Sequence, residues 1–378
     1  MAHRTQTCAT LARMADATRP SAGLDEPSAV REGQGFELAA LGAWLRPLVD
    51  DLDEPIEIEQ FGRGYSNLTY LLRAGTREWV LRRAPPGVKI KTAHDMGREF
   101  RILSALAPVW PKAPRPLALC EDESVIGSAF YVMERKRGVV LRAKTPPGLV
   151  LSADIMRRVS EATIDTLAEI HLIDWRAVGL GDLGKPEGYV ARQIHGWTER
   201  FLKAQTDDVA HLDDVVRWLE THMPPESGGT LIHNDFKYDN VVLDPDDLGR
   251  VVAVLDWEMA TIGDPLMDLG CTLGYWVQAD DPPVLAAAKF GPTELPGNLT
   301  RTELVARYTE RTGRPVGDVL YYFVYALFKL AGVAQQLYKR YRDGLTKEPR
   351  YAIMLEGARA CVNLAAHAIE LGRIDRLA

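Results

Sequence analysis

Residues 233–256 read HNDFKYDNVVLDPDDLGRVVAVLD, and this segment carries the strongest structural signal in the sequence. Two apolar runs flank the turn-rich segment DPDDLG, which predicts an antiparallel β-hairpin. Asn240 stands directly before the first run and Asp256 directly after the second, so the hairpin brings both side chains to the same end. Amide and carboxylate oxygens are hard ligands that suit magnesium. We therefore expect Asn240 and Asp256 to hold a magnesium ion.

Asp235 precedes Asn240 in the pattern H-x-D-x-x-x-x-N. Phosphoryl transfer requires little covalent chemistry from the enzyme. The main tasks are to position an acceptor hydroxyl and to neutralise phosphate charge with metal ions. One carboxylate beside the acceptor and one metal-holding pair suffice for these tasks. We therefore predict that Asp235 is a catalytic base. The alternative is an ordinary polar turn between two buried strands, which does not require Asp, Asn and Asp at these intervals.

The same spacing, with a later metal-binding Asp, occurs in the catalytic loop of protein kinases. The sequence resembles the aminoglycoside phosphotransferase and choline kinase-like family, and more narrowly the kinase-like domains associated with acyl-CoA dehydrogenases, over about residues 55–370. The resemblance implies a two-lobed protein-kinase-like α+β fold, ATP as co-substrate and Mg²⁺ as cofactor. It also implies that Asp235 is the base, that Lys237 contacts the transferred phosphoryl group and that His233 supports the loop.

Two further acids follow in the segment GDPLMDL, Asp264 and Asp268. The resemblance implies that an acid at this place braces the catalytic loop, and we expect Asp268 to be structural and not catalytic. The alternative is that one of the two acids caps the helix that follows.

The glycine-containing segment FGRGYSN at 61–67 lies between two β-rich runs. Glycines there let backbone amides approach phosphate oxygens closely, so Gly62, Gly64, Ser66 and Asn67 are candidate nucleotide contacts. The pattern G-x-G-x-x-G is incomplete, because Asn67 stands in place of the third glycine. A glycine-rich hairpin turn would give a similar pattern.

A basic strand end, VLRR, follows this segment, and Arg82 occupies the position where protein kinases carry a phosphate-binding lysine. Arginine can bind phosphate bidentately, but the pattern leaves open whether Arg82 or Arg83 points inward. The predicted partner is Glu99, on the apolar face of the next helix. The alternatives are a solvated arginine at the strand end, and a surface Glu99 paired locally with Arg98 or Arg101.

The segment 131–138, YVMERKRG, joins the two predicted lobes and resembles the family hinge. The resemblance implies that backbone groups of Glu134 and Lys136 meet the nucleotide base. His171 lies near the end of a predicted helix, and we expect a packed histidine there and not a catalyst.

The patterns divide the chain into a flexible tail at 1–35, an N-terminal nucleotide-binding lobe at 36–137 and a C-terminal catalytic and acceptor-binding lobe at 138–378. The arginines of the tail faintly resemble a transit peptide. The small lobe is expected to hold a small antiparallel sheet with one helix, and the large lobe to be mostly helical. Periodicity predicts small-lobe strands at 56–61, 68–72, 79–81, 117–120 and 129–133. It predicts helices at 36–48, 94–107, 154–171, 188–205, 208–222, 302–312, 317–343 and 350–371.

Composition excludes several classes of protein. A net charge of −7 over 378 residues does not favour a nucleic-acid partner. The 4 cysteines lie far apart, which argues against a disulfide framework or structural zinc and fits a reducing cytoplasm. The longest apolar stretch, Leu320 to Phe328, is too short to span a membrane. The sequence does not indicate an oligomeric state.

Motifs narrow the enzyme class further. No G-x-x-x-x-G-K-[ST] run and no H-E-x-x-H run is present, which excludes a P-loop kinase and offers nothing for a zinc hydrolase. Asp256 is followed by Trp-Glu instead of Phe-Gly, and no Ala-Pro-Glu motif follows, so a small-molecule acceptor is preferred over a protein. The alternatives are a non-catalytic nucleotide-binding protein that kept the fold, and an aminoglycoside- or choline-type kinase.

The helices that follow Asp268 are expected to bind the acceptor. Downstream of Asp268 the candidate acceptor contacts are Tyr275, Trp276, Asp280 and Asp281. Asp280 and Asp281 could attract a cationic acceptor, or they could only make a loop soluble. The association of the most similar families with acyl-CoA dehydrogenases suggests a hydroxyacyl-CoA instead. Basic residues on a predicted C-terminal helix could then hold the CoA phosphates, namely Lys329, Lys339, Arg340 and Arg342.

Overall fold

The computed structural model describes residues 25–50, 52–62, 67–85, 95–146, 148–286 and 289–377. Within these ranges an antiparallel five-stranded sheet forms the N-terminal lobe, and a mainly helical lobe follows it. The predicted two-lobed α+β architecture is therefore confirmed. The predicted boundary between the lobes, between residues 137 and 138, stays a prediction.

The N-terminal lobe follows the predicted strand pattern closely. The elements are α1 (Leu38–Leu45), β1 (Glu57–Gln60), β2 (Leu68–Ala74), β3 (Arg77–Arg83), α2 (Met96–Leu106), β4 (Pro116–Cys120) and β5 (Phe130–Glu134). The sheet has the order β1-β2-β3-β5-β4, with all neighbours antiparallel. A tight hairpin turn joins β2 and β3, because Ala74 pairs with Arg77 and Gly75 between them adopts a φ of 57°.

The two faces of this sheet bury different residues, since successive side chains of a strand alternate between faces. Leu81 packs with α1 in a core that belongs to the small lobe. Val80 and Tyr131 pack with α2 in the core that continues into the large lobe. Arg82 pairs with Tyr131 in the β3–β5 ladder and so shares this second face, whereas Arg83 lies on the face of α1. Strand alternation thus turns Arg82 toward the cleft between the lobes.

The N-terminal segment differs from its prediction over residues 25–35. Ser28 and Gln60 form a β-bridge with backbone hydrogen bonds of 2.9 and 2.7 Å, and the Tyr70 hydroxyl donates to the carbonyl of Gln34 at 2.6 Å. These hydrogen bonds fix the segment to the edge of the sheet, so this part of the expected flexible tail is ordered structure. Residues 1–24 lie outside the described residues.

The C-terminal lobe contains most of the predicted helices within a few residues of their expected ends. Its helices are α3 (Ala153–Leu172), α4 (Tyr189–Ala204), α5 (Leu212–Thr221), α6 (Pro265–Tyr275), α7 (Pro283–Ala286), α8 (Arg301–Thr312), α9 (Val319–Arg342) and α10 (Met354–Leu371). Its strands are β6 (Thr230–Ile232), β7 (Val241–Leu243), β8 (Val251–Val254) and β9 (Thr261–Gly263).

Two short antiparallel ribbons carry the polar loops of this lobe. The predicted hairpin is β7–β8, in which Val241 pairs with Val254. The second ribbon, β6–β9, was not predicted, because three-residue strands are too short to show a period of two. Both ribbons lie against a core in which α9 packs between α6, α4 and α10.

Among the helices that the structure describes, α9 is the longest at 24 residues. Within the described residues, none of the helices combines the length and the low polarity that crossing a bilayer requires.

Candidate active site

The end of the β7–β8 ribbon brings together the two predicted metal ligands. The amide of Leu255 donates to the carbonyl of Asn240 at 2.8 Å, which extends the ladder by one residue to the point where Asp256 begins. Asp256 itself adopts the left-handed conformation, with φ 66° and ψ 61°. Its carboxylate is about one third exposed and accepts a hydrogen bond from Arg82 at 2.8 Å. The ribbon thus places both residues at one end, as predicted.

Asp235 lies in the loop that leads into this ribbon, and both of its carboxylate oxygens have partners. Oδ1 accepts from the Tyr275 hydroxyl at 2.6 Å. Oδ2 accepts from the Asn240 amide at 2.9 Å and from the Lys237 ammonium. Burial would raise the pKa of Asp235, but the Lys237 charge and the Tyr275 hydroxyl outweigh burial and lower it. The carboxylate is therefore ionised at neutral pH and able to accept a proton.

Asp268 holds the backbone of this loop. Its two carboxylate oxygens accept from the consecutive amides of His233 and Asn234 at 2.6 and 2.7 Å. His171 contacts the same carboxylate at 3.1 Å through Nε2. The expectation that Asp268 braces the loop agrees with these contacts. Asp264 is the helix cap, since its side chain accepts from the amide of Leu266 at 2.8 Å.

His233 connects the loop to the ribbon. Its Nε2 lies 3.0 Å from the carbonyl of Leu255, and its Nδ1 lies 3.3 Å from the amide of Asp235. A carbonyl can only accept and an amide can only donate, so the ring is the neutral tautomer with its proton on Nε2. Burial lowers the pKa of His233, which keeps this neutral form. The contacts match the predicted supporting function of His233.

The cleft between the lobes contains a buried ion-pair network. Arg82 Nε lies 3.2 Å from Glu99, and Arg82 Nη2 lies 2.8 Å from Asp256. Burial opposes the charge on Arg82, but Glu99 and Asp256 outweigh it and hold the pKa of Arg82 well above its ordinary value. The second oxygen of Glu99 accepts from the amide of Trp257 at 3.1 Å. Glu99 thus pairs with Arg82 and not with Arg98 or Arg101.

Arg83 has a different environment. Its guanidinium donates to the carbonyl of Ile126 at 3.0 Å and lies 5.3 Å from the centre of the Phe36 ring. Both contacts are on the α1 side of the sheet, away from the ribbon. The question that the sequence left open is therefore answered in favour of Arg82.

The glycine-containing segment is described only at its ends. The carbonyl of Gly62 accepts from the Arg31 guanidinium, and the Asn67 amide donates to Glu258 at 2.6 Å. Gly64 and Ser66 lie outside the described residues. Glu258 also lies 3.4 Å from Arg82, so Asn67 joins the polar network of the cleft.

The two hinge residues differ in their contacts. The amide of Glu134 donates to the carbonyl of Arg115 at 2.9 Å, so this amide is engaged on the β4 side of the sheet. The Lys136 side chain pairs with the Glu134 carboxylate at 2.9 Å. Binding of a nucleotide base at this segment stays a prediction.

Comparison with known proteins assigns the family. The model of the phosphotransferase enzyme family matches residues 57–303. The chain belongs to this family. The predicted enzyme class, a kinase-type phosphotransferase, is thereby confirmed.

Individual relatives agree with this assignment. Acyl-CoA dehydrogenase family member 10 of Mus musculus is 34% identical over 325 residues, which cover 85% of this chain and 30% of that protein. The chain therefore spans about a third of the length of this relative. A Ralstonia eutropha JMP134 protein provisionally named an aminoglycoside phosphotransferase is 32% identical, covers 88% of this chain and 99% of its own, and superimposes with a TM-score of 0.72. Choline kinase of Cryptosporidium parvum shares the kinase-like fold with a TM-score of 0.62, at 13% identity, over 90% of this chain and 98% of its own.

Several acceptor-side predictions for this phosphotransferase are corrected by the structure. Asp281 is buried and ion-paired with Arg301, and so cannot attract a cationic acceptor. Trp276 is buried, with its indole donating to the carbonyl of Leu299 at 2.8 Å. Asp280 lies 3.5 Å from the Gln278 amide. Of these candidates, Tyr275 is the residue that reaches Asp235.

Lys329 is also placed differently from its prediction as a CoA contact. Its ammonium is buried, donates to the carbonyl of Asn234 at 2.9 Å and lies 3.4 Å from the Cys271 sulfur. Asn234 has a φ of 66°. Lys329 donates to its carbonyl, and Asp268 accepts from its amide. A lysine directly after an apolar run gives no local signal for a contact 95 residues away in the chain. Lys329 therefore supports the catalytic loop of the phosphotransferase.

Two further side chains near the base were not predicted as site residues. Asp239 lies 3.6 Å from Lys237, and burial, together with the nearby Asp235 and Asp256 charges, raises the pKa of Asp239 to about 6. The Phe290 ring packs edge-on against Tyr275, with centroids 4.9 Å apart. Asp239 could have been found from its position in the motif. Phe290 could not, because its loop has no recognisable pattern.

The donor set fits magnesium by its chemistry. Among the described residues, no group of three or more His, Cys, Asp or Glu side chains is arranged to hold a metal ion. The expected site is different, because it pairs one carboxylate, Asp256, with one amide oxygen, Asn240. Magnesium is commonly bound by one or two carboxylates, with water and phosphate oxygens completing the octahedron. The neighbouring carboxylates of Asp235 and Asp239 also favour a cation there.

Replacement of Asp268 by Asn should destabilise the protein by about 3 kcal/mol, because each loop amide donates to a different carboxylate oxygen and the NH₂ group that replaces one of these oxygens would face a donor. Urea unfolding followed by tryptophan fluorescence measures this loss. The matched control is Asp318→Asn, an exposed helix cap whose side chain accepts from the amide of Leu320 at 3.1 Å. Asn caps helices as well as Asp does, so the control should change stability by less than about 0.5 kcal/mol. Equal losses in both variants would contradict the bracing function.

Proposed function

We propose that this phosphotransferase moves the γ-phosphoryl group of ATP to a hydroxyl group of a small molecule, with Mg²⁺ as cofactor and Asp235 as catalytic base. The observation that carries the proposal is the Asp235 carboxylate, which accepts a hydroxyl hydrogen bond at 2.6 Å beside the ribbon end of Asn240 and Asp256. A general base must lie at hydrogen-bonding distance from the oxygen whose proton it removes, and 2.6 Å is within this range.

The residues around Asp235 support a division of tasks. The acceptor hydroxyl would donate to Asp235 while its oxygen bonds to the γ-phosphorus and ADP leaves. Asp235 and Asp239 outweigh burial and raise the pKa of Lys237, so its ammonium stays charged where phosphoryl charge would develop. Asn240 and Asp256 would hold Mg²⁺, which when bound neutralises phosphate charge. Arg82, positioned by Glu99, would contact the phosphates.

The surroundings of the base support an acceptor with an apolar part next to its hydroxyl group. Tyr275 and Phe290 form an aromatic pair beside Asp235, and aromatic rings favour contact with carbon atoms over contact with water. Asp281 is ion-paired with Arg301 and is therefore not available to bind a choline-like cation. A hydroxyacyl thioester such as a hydroxyacyl-CoA combines an alcohol with an alkyl chain, and we propose it as the acceptor class. The similarity to an acyl-CoA dehydrogenase family member supports the same choice.

Two substitutions separate metal-nucleotide binding from turnover. Asp256→Ala should abolish magnesium-dependent ATP binding, because the metal loses its carboxylate ligand. Asp235→Asn should retain ATP binding and lower turnover about a thousandfold, because an amide cannot accept the proton. Calorimetry with Mg²⁺ and ATP measures the first effect, and release of ADP measures the second.

The control is Asp247→Asn, in the turn at the other end of the same ribbon, which should keep both ATP binding and turnover. Full turnover by Asp235→Asn would remove the base assignment, and a non-catalytic protein would bind ATP without turnover in any variant.

Replacement of Arg82 by Lys should weaken ATP binding roughly tenfold, because a single ammonium cannot contact Glu99, Asp256 and a phosphate at once. Arg83→Lys is the matched control, since its guanidinium lies on the α1 side of the sheet and should leave ATP affinity unchanged. Titration calorimetry of both variants measures the difference. An equal effect of the two substitutions would argue against phosphate contact by Arg82.

The acceptor class is tested by transfer of radiolabelled phosphate from ATP. We expect labelled product with hydroxyacyl-CoAs and little or none with aminoglycosides, choline or sugars. Acyl-CoAs that lack the hydroxyl group are the control for transfer to another part of the molecule. Labelling of an aminoglycoside or choline without labelling of any hydroxyacyl-CoA would overturn the proposed acceptor while leaving the phosphotransferase chemistry in place.

A further inference from the structure

We infer that the Tyr275 hydroxyl occupies the position of the acceptor hydroxyl at Asp235 and keeps water from this position until an acceptor displaces it. The inference rests on the proposed function, because it takes Asp235 to be the base. It assigns Tyr275 as a positioning and specificity residue, in addition to the residues that act on the phosphoryl group.

The contact itself has the geometry of a base and its substrate. Tyr275 is the last residue of α6, and its hydroxyl lies 2.6 Å from Asp235 Oδ1. A catalytic base and the hydroxyl that it deprotonates lie at the same separation. A phenol is chemically an alcohol, so the structure contains a hydroxyl group where the proposed reaction requires one.

The two oxygens of Asp235 are not equivalent. Oδ2 accepts from Lys237 and Asn240, which belong to the same loop, and Asn240 is fixed by a second hydrogen bond to the Asp235 carbonyl at 2.8 Å. These contacts orient the carboxylate and would be kept during turnover. Oδ1 accepts from Tyr275 in a different element, α6, so loss of this hydrogen bond breaks no contact within the loop. An acceptor hydroxyl would therefore exchange with Tyr275 at Oδ1.

The ring of Tyr275 is held from two sides. Phe290 packs edge-on against it at 4.9 Å between centroids, and the Lys237 ammonium lies 4.9 Å from the ring centre. These contacts favour the placement of the hydroxyl at Asp235 while no acceptor is bound. An acceptor with an apolar flank can replace the ring against Phe290 as its hydroxyl replaces the phenol, whereas water can replace only the hydroxyl. The arrangement thus distinguishes an acceptor from water.

Water at Oδ1 would open a side reaction. A water oxygen would bond to the γ-phosphorus, the bond from phosphorus to the bridging oxygen of ADP would break, and the water proton would pass to Asp235. Active sites of transferases suppress such hydrolysis by excluding water. If the phenol hydroxyl were absent, the partly buried Asp235 carboxylate would lack a donor at Oδ1, and water is the donor that fills such polar gaps.

The test is ATP hydrolysis in the absence of acceptor, measured as ADP release by the full chain with Mg²⁺. Tyr275→Phe should raise this rate roughly tenfold. The rise should vanish in the double variant Tyr275→Phe with Asp235→Asn. The control is Tyr321→Phe, which removes the hydroxyl of a buried tyrosine that donates to the carbonyl of Leu219 at 3.2 Å, and it should leave hydrolysis unchanged. Tyr275→Leu, which removes the ring as well, should also raise hydrolysis and gives a second reading if one variant folds poorly.

The outcomes separate the inference from the function beneath it. Unchanged or reduced hydrolysis in both folded Tyr275 variants, with hydrolysis by the unsubstituted protein still dependent on Asp235, would overturn the inference and leave the proposed function standing. Absence of Asp235-dependent turnover in every protein would overturn the proposed function, and the inference with it. A rise that persists in the double variant would also overturn the inference, because the water would then act without the base.

Discussion

One buried carboxylate, Asp268, holds the loop on which the rest of the site depends. It accepts from two consecutive backbone amides, those of His233 and Asn234, while Lys329 holds the carbonyl of Asn234 from the opposite side. A non-glycine residue in the left-handed region needs such support, because this conformation costs free energy. The loop can then present Asp235 beside the ribbon without depending on a ligand for its shape.

The lobes meet at a second cluster of charges. Arg82 comes from the sheet, Glu99 from α2 and Asp256 from the end of the ribbon, so one network spans the cleft. Breaking a buried pair of this kind by removal of one partner is costly, since the remaining charge stays desolvated. The network therefore fixes the position of the small lobe relative to the ribbon, and it places a permanent cation next to an expected metal ligand.

The features predicted from the sequence are those with a local pattern. The ribbon follows from two apolar runs and a turn, and α3 follows from the period of its apolar residues; in the structure Ser152 caps this helix, since its side chain accepts from the amide of Ile155 at 3.3 Å. The features that were missed depend on contacts distant in the chain. The Asp281–Arg301 pair joins residues 20 positions apart, and the Lys329–Asn234 contact joins residues 95 positions apart, so no local spacing encodes these partners. The edge pairing of Ser28 with Gln60 was missed for the same reason, because it joins residues 32 positions apart.

The most direct test of the account is a crystal structure of the protein with Mg²⁺ and a non-hydrolysable ATP analogue. We expect one metal ion within about 2.1 Å of both the Asn240 amide oxygen and the Asp256 carboxylate, with phosphate oxygens completing its coordination. A nucleotide bound with its metal on other side chains, or with Asn240 and Asp256 directed to different sides of the ribbon, would contradict the central claim.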